Sequence, residues 1–115
     1  MEFTPIEQAL IDWFVEHAVL PELVAQFRSA TPTSRKYTGV GSYTDLAIPA
    51  EAPRVTAAIA PPGAIIGPYI FAPEVPHGAC TQVYCRGGVL TFLEIATYAD
   101  PFPEKLANFT LKEVL

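Results

Sequence analysis

Two adjacent glycines, Gly87-Gly88, separate two runs that alternate in the period of a β-strand, and this feature restricts the fold more than any other. The run after them, 89–98 (VLTFLEIATY), is rich in β-branched and aromatic residues that suit a pleated, half-buried surface. The run before them, 79–86, has the same alternation. Paired glycines supply the positive φ angles of a tight hairpin turn. A two-residue turn followed by regular pairing sets Arg86 opposite Val89, Tyr84 opposite Thr91 and Cys80 opposite Ile95. The other face then pairs Cys85 with Leu90, Val83 with Phe92, Thr81 with Glu94 and Ala79 with Ala96, and His77 faces Tyr98 if pairing runs that far. A slip of one residue exchanges the two faces.

The N-terminal end carries a helix start. Thr4 can cap, Pro5 suits the first helical position, and Glu7 completes a capping box. Ile6, Leu10, Trp13, Phe14, His17, Leu20, Val24 and Phe27 then recur along one stripe. Pro21 has no N–H for the carbonyl of His17, so the helix kinks there or restarts. Arg28 suits a helix C-terminus, and Thr31-Pro32 ends the run.

Residues 33–38 and 42–48 read as strands around a turn or bulge at Gly39-Val40-Gly41. Residues 49–63 are Ala/Pro-rich and read as an irregular crossing, although 54–60 can be extended. Residues 64–72 read as a further strand, with Pro68 marking an edge or a bulge, and 73–78 as the loop into the hairpin. Residues 108–114 can supply a closing strand or a short helix. The expected fold is a single α+β domain over 1–115. Its N-terminal helical segment, kinked or broken at Pro21, packs on a mainly antiparallel sheet of about five or six strands.

Net charge of −5 argues against nucleic acid and against an anionic membrane surface, because both need clustered Lys and Arg. Nineteen uncharged residues lie between Arg54 and Glu74, but four prolines and two glycines among them exclude a continuous spanning helix. No basic stretch followed by an apolar run opens the chain, so the expected location is cytoplasmic. Half of the residues are hydrophobic and 17% are charged, below the roughly 25% usual in soluble domains, which points to an exposed apolar patch. Cys80 and Cys85 on one strand point to opposite faces about 17 Å apart, too far for a disulfide.

On the expected register, Glu94, Thr81, His77 and Tyr98 gather beside the small Ala79/Ala96 pair, with Arg35 as the natural partner for the carboxylate. This candidate ligand site (Arg35, His77, Thr81, Glu94, Tyr98) can bind a small polar ligand or transfer a proton; the simpler reading is a structural Arg35–Glu94 pair. His77 and Cys80 with Cys85 fall short of a four-ligand metal set, and His17 reads as a core or rim histidine. Gly39-Val40-Gly41 lacks the third glycine and following helix of a dinucleotide loop, and Ser42 lacks a nucleophile-elbow frame. Neither cysteine has a sequence-evident activating base. No metal, cofactor or catalytic residue is assigned. The other face, with Cys80, Tyr84, Leu93 and Ile95, is the candidate interface.

The series from Arg35 to Asp45 (RKYTGVGSYTD), then His77-Gly78-Ala79, then Leu93-Glu94 with Thr97-Tyr98, resembles a group of small uncharacterised bacterial proteins. Their pattern has the form R-x-x-T-G-x-G-F-Y-T-x-F, H-G-x-G-F and L-E-G-x-T-Y. The resemblance covers about residues 5 to 112 and implies a fold type rather than a particular chemistry. Cys80 and Ile95 stand where the pattern favours glycine.

The function expected first is a small binding or interaction domain without catalysis of its own, forming a homodimer or meeting another protein. An enzyme or small-ligand receptor using Arg35, His77, Glu94 and Tyr98 is the alternative from another class. A toxin-neutralising, immunity-type protein is a third, resting on small size and acidity alone.

Overall fold

A computed structural model describes residues 1–56 and 63–114. Helix α1 (Pro5–His17) begins with the expected capping box: Glu7 N–H donates to the Thr4 hydroxyl at 3.3 Å, and Thr4 N–H donates to the Glu7 carboxylate at 2.9 Å. The helix stops at His17, and α2 (Pro21–Ser29) starts anew with proline at its first position. This restart resets the helical phase. Leu23 and Gln26 turn inward beside Phe27, where a single unbroken stripe predicts Val24. Phe14 and Phe27 stack across the break with ring centroids 4.8 Å apart.

The sheet contains β1 (Thr31–Tyr37), β2 (Gly41–Ala47), β3 (Ala64–Ile66), β4 (Tyr69–Ala72), β5 (Val75–Arg86), β6 (Val89–Thr97) and β7 (Thr110–Lys112). Its order is β1-β2-β6-β5-β4-β7, with β3 also alongside β5, and every pairing is antiparallel. Among the described residues the strand count is seven rather than five or six, because Gly67-Pro68 splits the expected 64–72 strand in two. The expected loop at 73–78 shrinks to the turn Pro73-Glu74, since Ala72 already pairs with Val75. Of the two options for the C-terminal stretch, the strand forms, as β7 against β4. Residues 57–60 of the stretch that can be extended lie outside the described residues; no strand forms across 49–56.

The hairpin turn is as expected, with φ of +59° at Gly87 and +78° at Gly88. The register beyond it is not. Cys85 pairs with Leu90, but Tyr84 pairs with Phe92, leaving Thr91 as a bulge. From there the expected partners slip by one: Gln82, not Thr81, faces Glu94, and Cys80, not Ala79, faces Ala96. Burial explains the slip. Leu90 and Leu93 are three residues apart and cannot share a face of a regular strand, yet both are buried, along with Ile95. One extra residue brings them into phase. A second bulge, between Pro32 and Ser34 in β1, likewise turns both Pro32 and Arg35 inward.

Both helices pack on one face of this sheet. Ile6, Leu10, Ile11, Phe14, Leu23 and Phe27 meet Ile70, Val83, Leu90, Leu93 and Ile95, and Phe102 and Leu106 join the same core. Gln26, fully buried, secures the hairpin: its amide nitrogen donates to the carbonyls of Pro53 (2.8 Å) and Gly88 (2.9 Å), and its oxygen accepts from Leu90 N–H (2.9 Å). Among the described residues the opposite face of the sheet carries no helix. No helix among the described residues is long and apolar enough to cross a membrane.

Candidate functional site

The sequence-derived ligand cluster does not assemble. Arg35 lies on the helix side, where β1 and α1 meet, and grips Glu7 with Nε at 2.7 Å and Nη2 at 2.5 Å. The Thr44 hydroxyl, directly opposite Arg35 on β2, donates to the same carboxylate at 2.6 Å. Burial pushes the Glu7 carboxyl up, but donors from Arg35, Thr44 and the Thr4 backbone outweigh it and hold the group below the usual carboxylate range. The bond to Glu7 in turn raises the Arg35 guanidinium. Arg35 is therefore part of the architecture and does not pair with Glu94.

Thr81 is buried on the helix side, its hydroxyl donating to the Pro68 carbonyl at 2.7 Å. The bulge at Thr91 puts it on the face opposite Glu94. His77 is exposed at the far end of β5; its backbone N–H and its Nδ1 both approach the Asp100 carboxylate, at 3.0 Å and 3.1 Å. That N–H, first among the causes, holds the Asp100 carboxyl below its ordinary range. Tyr98 is 59% exposed, its ring 6.3 Å from that of Tyr69. Among the described residues no hydrogen bond joins His77 or Tyr98 to Glu94.

The candidate interface divides in the same way. Cys80 and Tyr84 remain on the bare face, whereas Leu93 and Ile95 are buried in the core at 1% and 2% exposure. Phe92, Glu94 and Ala96 take their place. Both cysteines are free; Cys85 packs toward the core, where burial pushes its thiol up.

What the register does assemble is an ordered outer surface. One cross-strand row runs Ser34, Asp45, Phe92, Tyr84 and Ala64, and the next runs Lys36, Tyr43, Glu94, Gln82 and Ile66. A third contains Gly41, Ala96 and Cys80. Gly41 is required there, since a Cβ would come within 1.9 Å of the Ile95 carbonyl oxygen. Tyr84 and Phe92 stack with centroids 4.4 Å apart, and Tyr43 meets Phe92 edge-on at 5.8 Å. Glu94 sits among these rings and accepts from Gln82 Nε2 at 2.5 Å and from the Tyr84 hydroxyl at 3.4 Å. A hydrogen bond to Glu94 raises the Tyr43 phenol; burial, then the Glu94 charge, raises that of Tyr84.

Every donor to Glu94 is neutral, and among the described residues no Lys, Arg or His forms an ion pair with it. Also among the described residues, no three His, Cys, Asp or Glu side chains lie together as a metal set. The bare face thus combines aromatic area, a carboxylate and an amide in one grid. Comparison of the chain with protein-family models, curated protein sequences and solved structures returned no match.

Proposed function

We propose that this chain is a small interaction domain that self-associates through the bare face of its sheet. The observation that carries the reading is the one-sided covering of the sheet. Both helices lie on one face, while Tyr43 (41% exposed), Tyr98 (59%) and Phe71 (40%) remain in contact with solvent. An uncovered aromatic surface of this kind marks a recognition site, and tyrosine is favoured at interfaces because its ring buries area while its hydroxyl stays paired. A second copy is the favoured occupant because the surface carries both signs of charge. Lys36 and Glu94 flank Tyr43 in one row, so the patch is complementary to itself, as a two-fold interface requires.

Sedimentation velocity across a concentration series tests this reading. The expected result is a dimer for the native chain and a monomer for the Tyr43→Lys/Tyr98→Lys double variant, with unchanged circular dichroism. A native chain that sediments as a monomer at every concentration overturns it.

A further inference from the structure

The interruption between the helices leaves an opening beside β3, at the edge of the sheet. Three residues, Ala18, Val19 and Leu20, connect α1 to α2. Because Pro21 cannot continue α1, the chain turns away there and a cleft of about 370 Å³ remains between the helix ends and β3. The stacked rings of Phe14 and Phe27 line it with Leu23 and Ile65. Volume and lining fall at the small end of the usual range for small-molecule sites.

The polar groups at the cleft are few and specific. Trp13 and His17 form one wall, their rings stacked with centroids 3.9 Å apart. His17 Nδ1 lies 2.8 Å from the Trp13 carbonyl oxygen. A carbonyl only accepts, so Nδ1 carries a proton, and Nε2 is an acceptor in the tautomer that bears its single proton there. Glu113 adds a carboxylate at the opening. Among the described residues no Lys or Arg lines the cleft, and the backbone of the neighbouring Lys112 pairs with Tyr69 in the β4–β7 ladder. The head group that fits these acceptors is a positively charged donor, and the net charge of −5 favours its approach.

We infer that this cleft binds an amphiphilic amine, with its hydrocarbon chain against Phe14, Phe27 and Leu23 and its ammonium toward His17 and Glu113. The inference does not rest on self-association: Tyr43 and Tyr98 do not line the cleft, and Ala64 and Ile66 stand at the edge of both surfaces.

Trp13 is the only tryptophan of the chain and stands in the cleft wall, so its fluorescence reports on occupancy. The probes are n-decylamine, decan-1-ol and n-decanoate, each below its micelle concentration, with calorimetry in parallel for any binding that leaves the fluorescence unchanged. Decylamine is expected to saturate, with half-saturation at least tenfold below that of decanoate. Glu113→Gln should shrink that preference, and Ala18→Phe, which fills the cleft, should weaken decylamine by at least tenfold. Leu20→Phe serves if Ala18→Phe does not fold. No saturable binding by either method overturns the site, as does decylamine binding that is unaltered in the filled variant. Decanoate binding as tightly as decylamine overturns the choice of head group.

Discussion

Glu7 and Arg35 stand 28 positions apart in the chain and form a two-pronged ion pair at 2.7 and 2.5 Å, in which the Glu7 side chain is 2% exposed and that of Arg35 14%. The same carboxylate closes the capping box of α1, so one side chain both starts the helix and fastens it to the sheet.

Removing one partner of such a pair leaves a buried charge without compensation. Arg35→Met is expected to lower stability by about 3–5 kcal/mol. The Arg35→Met/Glu7→Gln double variant should recover part of that loss. Urea unfolding curves of the three proteins measure this; a single variant within about 0.5 kcal/mol of the native chain contradicts it.

Acid should act through the same carboxylate. Its pKa is lowered on folding from the ordinary 4.5, so the unfolded chain binds more protons between the two values and stability rises with pH across that window. The contribution is complete above about pH 4.5 and is lost as pH falls through the lower, folded value. Glu7→Gln should flatten this part of the profile, which unfolding midpoints taken at half-unit steps from pH 6 to pH 3 will show.

Gln26 provides a second test, remote from the ion pair. Gln26→Leu keeps the volume but strips partners from Leu90 N–H and from the Gly88 and Pro53 carbonyls. The expected loss is about 2–4 kcal/mol, since buried polar groups left unpaired cost roughly 1–3 kcal/mol each and solvent can reach some of them. Hydrogen exchange should quicken first at the Leu90 amide.

The bulge can be tested by deletion. Without Thr91, Leu90 and Leu93 stand two positions apart, so a regular ladder keeps Leu90, Leu93 and Ile95 inward with Cys85–Leu90, Tyr84–Phe92 and Val83–Leu93 still paired. Deleting Glu94 instead makes Leu93 and Ile95 neighbours, which turns one of them out of the core at about 1.5–3 kcal/mol, so the Thr91 deletion should melt cooperatively while the Glu94 deletion is destabilised by at least that amount. A Thr91 deletion that no longer melts cooperatively, or a Glu94 deletion as stable as the native chain, refutes the role given to Thr91.

The candidate site was legible only in part. Glu94 was found because a carboxylate on an apolar strand is conspicuous, and Cys80 and Tyr84 were placed on the face they occupy. Phe92 was missed, and Leu93 and Ile95 were misplaced, because regular pairing was carried past Thr91. A signal existed: Leu90 and Leu93, three positions apart, cannot both be inward without a bulge. Local sequence assigns Glu7 to the helix cap and so leaves Glu94 as the partner for Arg35, but a carboxylate has acceptor sites for both cap and guanidinium, and Glu7 serves both. Gln26 left no local trace, because its value lies in backbone groups 27 to 64 positions away.

The amino-acid order by itself determined what short-range sterics and hydrogen bonding decide. The cap at Thr4, the restart at Pro21, the positive-φ turn at Gly87-Gly88 and the break at Pro68 each depend on a few neighbouring residues. Only the tertiary structure decided which face each strand turns inward, which cation meets Glu7 and where a bare surface and a cleft remain. These depend on how the apolar side chains of distant segments share one core, and a single inserted residue such as Thr91 reverses every side chain beyond it.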